Sequence, residues 1–338
     1  MRPFRTVLVG FGAIAHGLSN DRRMATHFRY ATHAQVLRDH PRFDWCCTVD
    51  PDPAARKRAR RFGAGDVVAT LDEAQSRHAP EIAVIATPPS VRIDVLKAFP
   101  ALRGVIVEKP LGTDLTAARH FAGACMRRAI AVQVCLWRRA DRTLRRLAAD
   151  KARKLGAVQA GLALYGNGLH NNGVHIVDLV RMQAAEILAV RALGPAVPLA
   201  RAPIRGDVAL AASLHLSTGA VISLAPLDFR HYREVALDLW GTRARRSFDQ
   251  ETLRIVDFPR VANRGLESEL EIASDRPHVY APGAARAFYD LYSNLAQAVS
   301  NDRPTWSDAA NALRTEEVVA SILRSARRDG ALVDLPGQ

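Results

Sequence analysis

The sequence predicts a two-part α/β protein: an N-terminal doubly wound parallel sheet, then an α+β domain on a large, mostly antiparallel open sheet. Three observations predict it. Short continuous apolar runs alternate with helix-like segments in the first third; the pattern changes near residue 155 to successive strand candidates separated by Gly, Asp or Thr turns; and helical periodicity returns at the end. At 338 residues the chain is about twice one ordinary domain. The boundary is expected at a domain of residues 1–127 followed by one of 128–338, with a C-terminal helix able to pack back on the first.

The strands of the first part are RTVLVGFG (5–12), FDWCCTVD (43–50), IAVIAT (82–87) and GVIVEK (104–109). Between them, PAARKRARRF follows Pro53 and SVRIDVLKAF follows the Pro88-Pro89 break, both helix-compatible. In the second part VQAGLALYG, VALAASLHLSTGAVISLAPLDF, REVALDLWGTRARRSF and TLRIVDF read as strands. AARAFYDLYSNLAQAVS and SDAANALRTEEVVASILRSARRDG read as closing helices, with Ser307 the expected N-cap of the second and Gly330 its expected C′ residue.

Bulk properties exclude several classes. No apolar run approaches the roughly 18–20 residues of a membrane span. The chain enters its first strand without a secretory apolar segment, so a soluble cytoplasmic protein is expected. Cys46, Cys47, Cys125 and Cys135 form no C-x-x-C pair and suggest neither a disulfide framework nor a zinc site. The net charge of +13 lies in helix-like stretches such as 55–62 and 138–154 that lack the interleaved aromatics of a base-stacking surface. Nucleic acid and membrane are therefore not expected partners; solvated helix faces, or attraction of an anionic small molecule, account for the charge.

VLVGFGAIAHG supplies Gly10, Gly12 and Ala15 as G-x-G-x-x-A directly after a strand and ahead of an expected helix. A tight turn at the first glycine, backbone approach to a pyrophosphate at the second, and close helix packing at the third are the reasons a Rossmann-type dinucleotide site needs small residues there. Gly10, Phe11, Gly12, Ala13 and Ile14 are thus cofactor candidates. Asp50 ends the second strand, where an acid can hold the adenosine ribose and repel a 2′-phosphate; NAD is favoured, while Arg56, Lys57 and Arg58 leave NADP open. Asp50 falls 38 residues after Gly12 instead of about 20, so residues 17–33 hold an insertion, a lid, a substrate contact or an elaborated surface loop.

Lys109 emerges with Glu108 and Pro110 from the end of the fourth strand, where ligands of doubly wound sheets lie. In GLHNNGVHIVDLV (168–180), His175 and Asp178 interrupt an apolar helix and Asn171 and Asn172 precede it, either as substrate contacts or as the turn and N-cap of that helix. His170 and His175 are five apart, about 140° around a helix, and no further ligand completes a set; no metal is expected. Tyr165 and His231 are candidates for the substrate face of the second sheet.

Together these motifs resemble the glucose-fructose oxidoreductase, inositol dehydrogenase and MocA (Gfo/Idh/MocA) family. The resemblance is carried by the glycine pattern, ATPPS (86–90), E-K-P at Glu108, Lys109 and Pro110, G-x-H-x-x-D at Gly173, His175 and Asp178, and YSNLAQAV in the penultimate helix. It implies NAD(P)-dependent hydride transfer at a secondary hydroxyl or keto carbon of a sugar, cyclitol or nucleotide sugar. Lys109 would position and acidify the hydroxyl, and His175 would take or give its proton. Pro110 matches a proline often preceded by a cis bond, Asp178 plays a supporting part, and Thr87, Pro88 and Glu108 join the cofactor contacts. Many members carry an aspartate where this chain has Asn171, which can hydrogen-bond a sugar but cannot shuttle a proton. A dinucleotide-sensing regulatory protein on the same scaffold, or a reductase of an imine or non-sugar carbonyl, is the alternative. A homodimer or homotetramer is the family expectation.

Overall fold

The structure is a computed structural model and describes residues 2–17 and 26–336. It divides into two compact units, Met1–Asp141 with Ala284–Leu313 and Arg142–Gly283 with Arg314–Gln338.

The first unit holds a six-stranded parallel sheet of β1 (Phe4–Val9), β2 (Phe43–Val49), β3 (Asp66–Val68), β4 (Ile82–Ile85), β5 (Gly104–Val107) and β6 (Ala131–Val134), in the order β3-β2-β1-β4-β5-β6. This is the doubly wound order whose direction reverses between β1 and β4. The continuous apolar runs have a simple cause: both faces are covered. Val7, Val9, Ile85 and Val107 meet Val95, Leu96 and Phe121 on one side, from α4 (Arg92–Ala98) and α5 (Leu115–Arg127). Leu8, Val84 and Ile106 meet the other, with Ala34, Leu37, Ala59, Tyr292 and Leu295 from α1 (His33–Asp39), α2 (Pro53–Phe62) and α8 (Ala284–Asn301). Each fully buried Leu or Ile contributes roughly 1.5–3 kcal/mol. A third helix, α3 (Leu71–His78), begins with the capping box of Thr70 and Glu73.

Two details differ from the sequence reading. Residues 13–16 form a turn, with His16 N–H donating to Gly12 O at 3.0 Å, and the first helix that lies wholly among the described residues begins at His33. It docks on the motif all the same, because Ala34 N–H donates to the carbonyl of fully buried Ala15 at 2.9 Å. Residues 18–25 of the expected insertion lie outside the described residues. The cap of α9 (Ala309–Ala326) is Asp308, whose carboxylate accepts from Asn311 N–H at 2.8 Å. Ser307 instead gives its carbonyl to Val134 N–H, one position too early to cap.

The second unit is built on β7 (Val158–Tyr165), β8 (Ile187–Ala192), β11 (Ala212–Leu216), β12 (Val221–Pro226), β13 (Ala236–Gly241), β14 (Ala244–Asp249), β15 (Arg254–Ala262), β16 (Leu270–Ile272), β17 (His278–Tyr280) and β18 (Val333–Asp334). The order is β16-β15-β14-β13-β7-β12-β11-β8-β18, with β17 also on β15. All pairs are antiparallel except β7 with β12. A separate hairpin joins β9 (Val197–Pro198) to β10 (Val208–Ala209). One sheet face packs on α7 (Val174–Gln183) through Ala163, Ile222, Leu224, Leu237 and Leu239. The other is open, and leaves Val221 of β12 and Trp240 of β13 exposed on either side of β7. A short helix, α6 (Arg142–Ala149), opens this unit. Among the described residues no helix is long and apolar enough to cross a membrane.

Candidate active site

Gly10 stands at the reversal point between β1 and β4 with φ of 91°, the left-handed region that glycine alone enters without strain. A Cβ there would lie 2.6 Å from Thr87 Cγ2 and 2.9 Å from Ala86 O, so the strand ends close together only because the side chain is absent. At Gly12 a Cβ would meet nothing within 4 Å among the described residues. Those residues leave the space beside this glycine clear. Beside it, Thr87 Oγ1 is buried with no hydrogen-bond partner among the described residues. Asp50 is anchored into the same turn: Oδ2 accepts from Phe11 N–H at 2.7 Å and Oδ1 from Asp52 N–H at 2.9 Å. Phe11 itself is buried and stacks on His16 with centroids 5.1 Å apart, so it offers shape more than contact. Burial, reinforced by Arg58, lowers the pKa of that histidine. Ala13 is exposed and Ile14 half-buried above the turn, and Pro88 is exposed at the end of β4. An open glycine turn, an unpartnered buried hydroxyl and an anchored ribose-side carboxylate fit a dinucleotide. Arg56 is spent on the backbone, donating to Asp50 O at 2.9 Å and Pro51 O at 2.8 Å, which weakens the case for a 2′-phosphate.

Lys109 follows β5 and is half-buried, and the Lys109–Pro110 peptide is cis. The backbone around it is gripped by Arg92, a side chain 1% exposed that the sequence reading passed over. Arg92 Nη2 donates to Glu108 O at 2.5 Å and Nη1 to Pro110 O, one guanidinium spanning the lysine. The Glu108 carboxylate is held separately: His33 Nε2 lies 3.1 Å from Oε1, and His33 Nδ1 lies 2.7 Å from Tyr292 Oη. The consistent assignment has the tyrosine donating to Nδ1 and Nε2–H donating to the carboxylate. Burial pushes the Tyr292 hydroxyl well above its ordinary pKa, and burial with neighbouring Glu108 does the same to the Cys135 thiol, so both stay protonated as donors. His33, Glu108 and Cys135 place ligand-type atoms within 4.8 Å of one another. With both His33 nitrogens already engaged, the group is a hydrogen-bonded network and not an open metal site.

In the second unit, the turn Leu169–Gly173 is one turn of π-helix leading into α7. Asn171 and Asn172 do not cap the helix; no side chain does. The free amides of the turn go instead to Asp207, 36 residues away and 1% exposed, whose Oδ1 accepts from His170 N–H at 3.0 Å and Oδ2 from Asn171 N–H at 2.9 Å. Gly168, at φ 100°, is required because a Cβ there would overlap the Asp207 carboxylate. Asn172 Nδ2 is buried without a partner among the described residues. Along α7 every residue is buried except His175 and Met182. His175 thus stands at a half-open position on an otherwise enclosed helix. Asp178 points inward, accepting from Thr315 Oγ1 at 3.2 Å with Arg181 at 3.9 Å, a supporting role.

Two substrate-side candidates fare differently. Tyr165 is fully buried, donating to Leu210 O at 2.8 Å and accepting from Leu210 N–H at 2.9 Å, so its hydroxyl is spent on the fold and it drops out of the substrate set. His231 is exposed, 3.9 Å from an Asp228 carboxylate that Arg230 holds at a pKa of about 2. Close by, a cavity of about 720 Å³ is lined by Asn167, Leu199, Arg201, Phe229 and Arg230. Its size suits a sugar-like ligand and its rim carries two arginines.

Residues 4–135 match the family model GFO_IDH_MocA, described as an oxidoreductase family with an NAD-binding Rossmann fold. No curated protein matches the chain. Three solved structures are similar throughout. An oxidoreductase domain protein from Kribbella flavida shares 18% identity at TM-score 0.77, covering 100% of both chains. Levoglucosan dehydrogenase, in complex with NADH and levoglucosan, shares 17% at 0.76 over 99% of this chain and 100% of its own. The WlbA dehydrogenase from Bordetella pertussis, in complex with NADH and UDP-GlcNAcA, shares 19% at 0.72 over 100% of both. At these identities the likeness establishes the fold.

Proposed function

We propose, since residues 4–135 match the model of the GFO_IDH_MocA oxidoreductases with their NAD-binding Rossmann fold, that the chain is an NAD-dependent dehydrogenase acting on a secondary hydroxyl or keto carbon of a sugar, cyclitol or nucleotide sugar. The observation that carries the reading is Lys109, a half-buried ammonium at the carboxyl end of β5 whose two flanking carbonyls are fixed by one buried arginine. NAD, when bound, supplies or accepts the hydride. Lys109 donates to the reacting oxygen and stabilises negative charge developing on it. His175 takes or returns the hydroxyl proton, the general acid–base task that imidazole performs most often. Asn171 and Asn172 hydrogen-bond substrate hydroxyls, with His231 near the rim of the cavity. Asp50 favours NAD over NADP by occupying the place a 2′-phosphate would need.

The arginines at the cavity and the sugar and nucleotide-sugar ligands of the similar structures support a sugar-like substrate, with an anionic one favoured. The open face of the second sheet supports assembly as a homodimer or homotetramer, which light scattering would test.

The test is nicotinamide absorbance on addition of a panel of polyols and nucleotide sugars. Wild-type protein is expected to turn over at least one of them, and Lys109→Ala and His175→Ala to lose about 10²–10⁴-fold in kcat. Tight NAD binding without any substrate-dependent redox change would instead indicate a dinucleotide sensor.

A further inference from the structure

We infer that Arg92 is a positioning residue for Lys109: its guanidinium fixes the backbone on both sides of the lysine and so sets where the ammonium can reach. This rests on the reading of Lys109 given above. A lysine has four rotatable side-chain bonds and roughly 2 kcal/mol of rotamer entropy, so its tip is only as well placed as its root. The root here is held at three points. Nη2 of Arg92 binds the carbonyl of Glu108 and Nη1 that of Pro110, while the Glu108 carboxylate is fixed by His33 in the chain Glu108–His33–Tyr292. Arg92, His33 and Tyr292 come from α4, α1 and α8, three separate elements that converge on the strand end.

The chemistry of the clamp argues that it is more than filler. A guanidinium 1% exposed carries a large desolvation cost, part of which its bonds to these two carbonyls return. A Leu or Met could fill the same space without a buried charge. What a hydrocarbon cannot do is bind two carbonyls two residues apart through one rigid planar fork. The fork therefore fits the task of fixing the peptide planes around residue 109. A lysine keeps the charge and reaches one carbonyl, but not both in fixed geometry.

The experiment is a double-mutant cycle read by single-turnover rates at high enzyme concentration, with NAD affinity measured in parallel by fluorescence. Arg92→Lys is expected to lower the hydride-transfer rate about 10-fold and Arg92→Ala about 100-fold, the scale of a misplacement near 1 Å. NAD affinity should stay within threefold. In a Lys109→Ala background, Arg92→Lys should cost nothing further, because there is no ammonium left to place. Methylguanidinium, which fits the space left in Arg92→Ala, should restore part of the rate in that variant and none in Arg92→Ala with Lys109→Ala. An equal cost of Arg92→Lys in both backgrounds, or a rate within twofold of wild type when Lys109 is present, overturns the inference. If Arg92→Ala fails to fold, the Arg92→Lys arm of the cycle decides alone. Failure of the underlying reading looks different: Lys109→Ala by itself would then turn over normally.

Discussion

The most exacting prediction concerns Asp207, which lies outside every motif yet holds the turn bearing Asn171 and leading to His175. Its carboxylate accepts three backbone N–H groups, His170 at 3.0 Å, Asn171 at 2.9 Å and Val208 at 2.8 Å, and the residue is 1% exposed. Hydrogen bonds to a charged acceptor contribute about 1.5–3 kcal/mol each, and their sum overstates the loss on substitution because water and relaxation recover part of it. Asp207→Asn keeps the shape. Its remaining carbonyl oxygen can serve His170 and Val208, as Oδ1 does now, but its amide nitrogen then faces Asn171 N–H, donor against donor. One charged bond is lost and one buried donor is stranded, about 2–3 kcal/mol in all. That amount corresponds to a roughly 30–150-fold larger equilibrium constant for local opening. Hydrogen exchange should show the amides of 170 and 171 losing protection by this factor while β7 and β13 keep theirs. Because the turn leads directly into α7, the turnover rate should fall about 10-fold or more with NAD affinity unchanged. Unchanged protection at 170 and 171, or full activity despite lost protection, would refute the idea that this carboxylate organises the turn.

Other consequences are simpler to measure. Gly10→Ala should raise the NAD dissociation constant more than about tenfold and lower the melting temperature, since it combines a φ of 91° with a 2.6 Å approach to Thr87. Isothermal titration and a thermal melt report the two effects separately. Asp50→Ser keeps an acceptor for Phe11 N–H but removes the charge. The ratio of kcat/KM for NAD to that for NADP should fall at least about tenfold, and an unchanged ratio would return the choice of cofactor to the basic residues of α2. His40 has its pKa lowered to about 4, first by burial and then by Arg42, while its ring stacks 4.3 Å from Tyr289. The native state therefore binds fewer protons than the unfolded chain below pH about 6.5, so this site's contribution to stability is full above that pH and is lost as pH falls toward 4. Urea midpoints at pH 4.5 and 7.5 should differ less in His40→Gln than in wild type; an equal difference would mean that other groups set the acid limit.

The strands that were legible are those long enough to show a run of β-branched and apolar residues, such as Phe4–Val9 and Gly104–Val107. Asp66–Val68 and Ala131–Val134 are not legible, the first because three residues carry too little pattern and the second because Gln133 breaks its apolar run; they are strands through pairing with β2 and β5. The G-x-G-x-x-A turn was legible because the backbone itself demands small residues there. Directly behind it residues 13–16 form a turn, and the contact on Ala15 is made by Ala34 of α1, a pairing that spacing alone does not reveal.

What the sequence determined by itself is local or strand-borne: the alternation that makes a doubly wound sheet, the glycine turn, the acid ending β2, and the placement of Lys109 after an apolar strand. These follow from backbone sterics and from period, which neighbouring residues express together. Only the tertiary structure decided which buried polar groups serve those residues. Arg92 reaches across 16 and 18 positions, His33 across 75, and Asp207 across 36 and 37. Each such partner satisfies a carbonyl, carboxylate or N–H that burial would otherwise strand, and no spacing in the sequence encodes that need. For the same reason Tyr165, a candidate for the substrate face of the second sheet, is a core residue whose hydroxyl pairs with the Leu210 backbone.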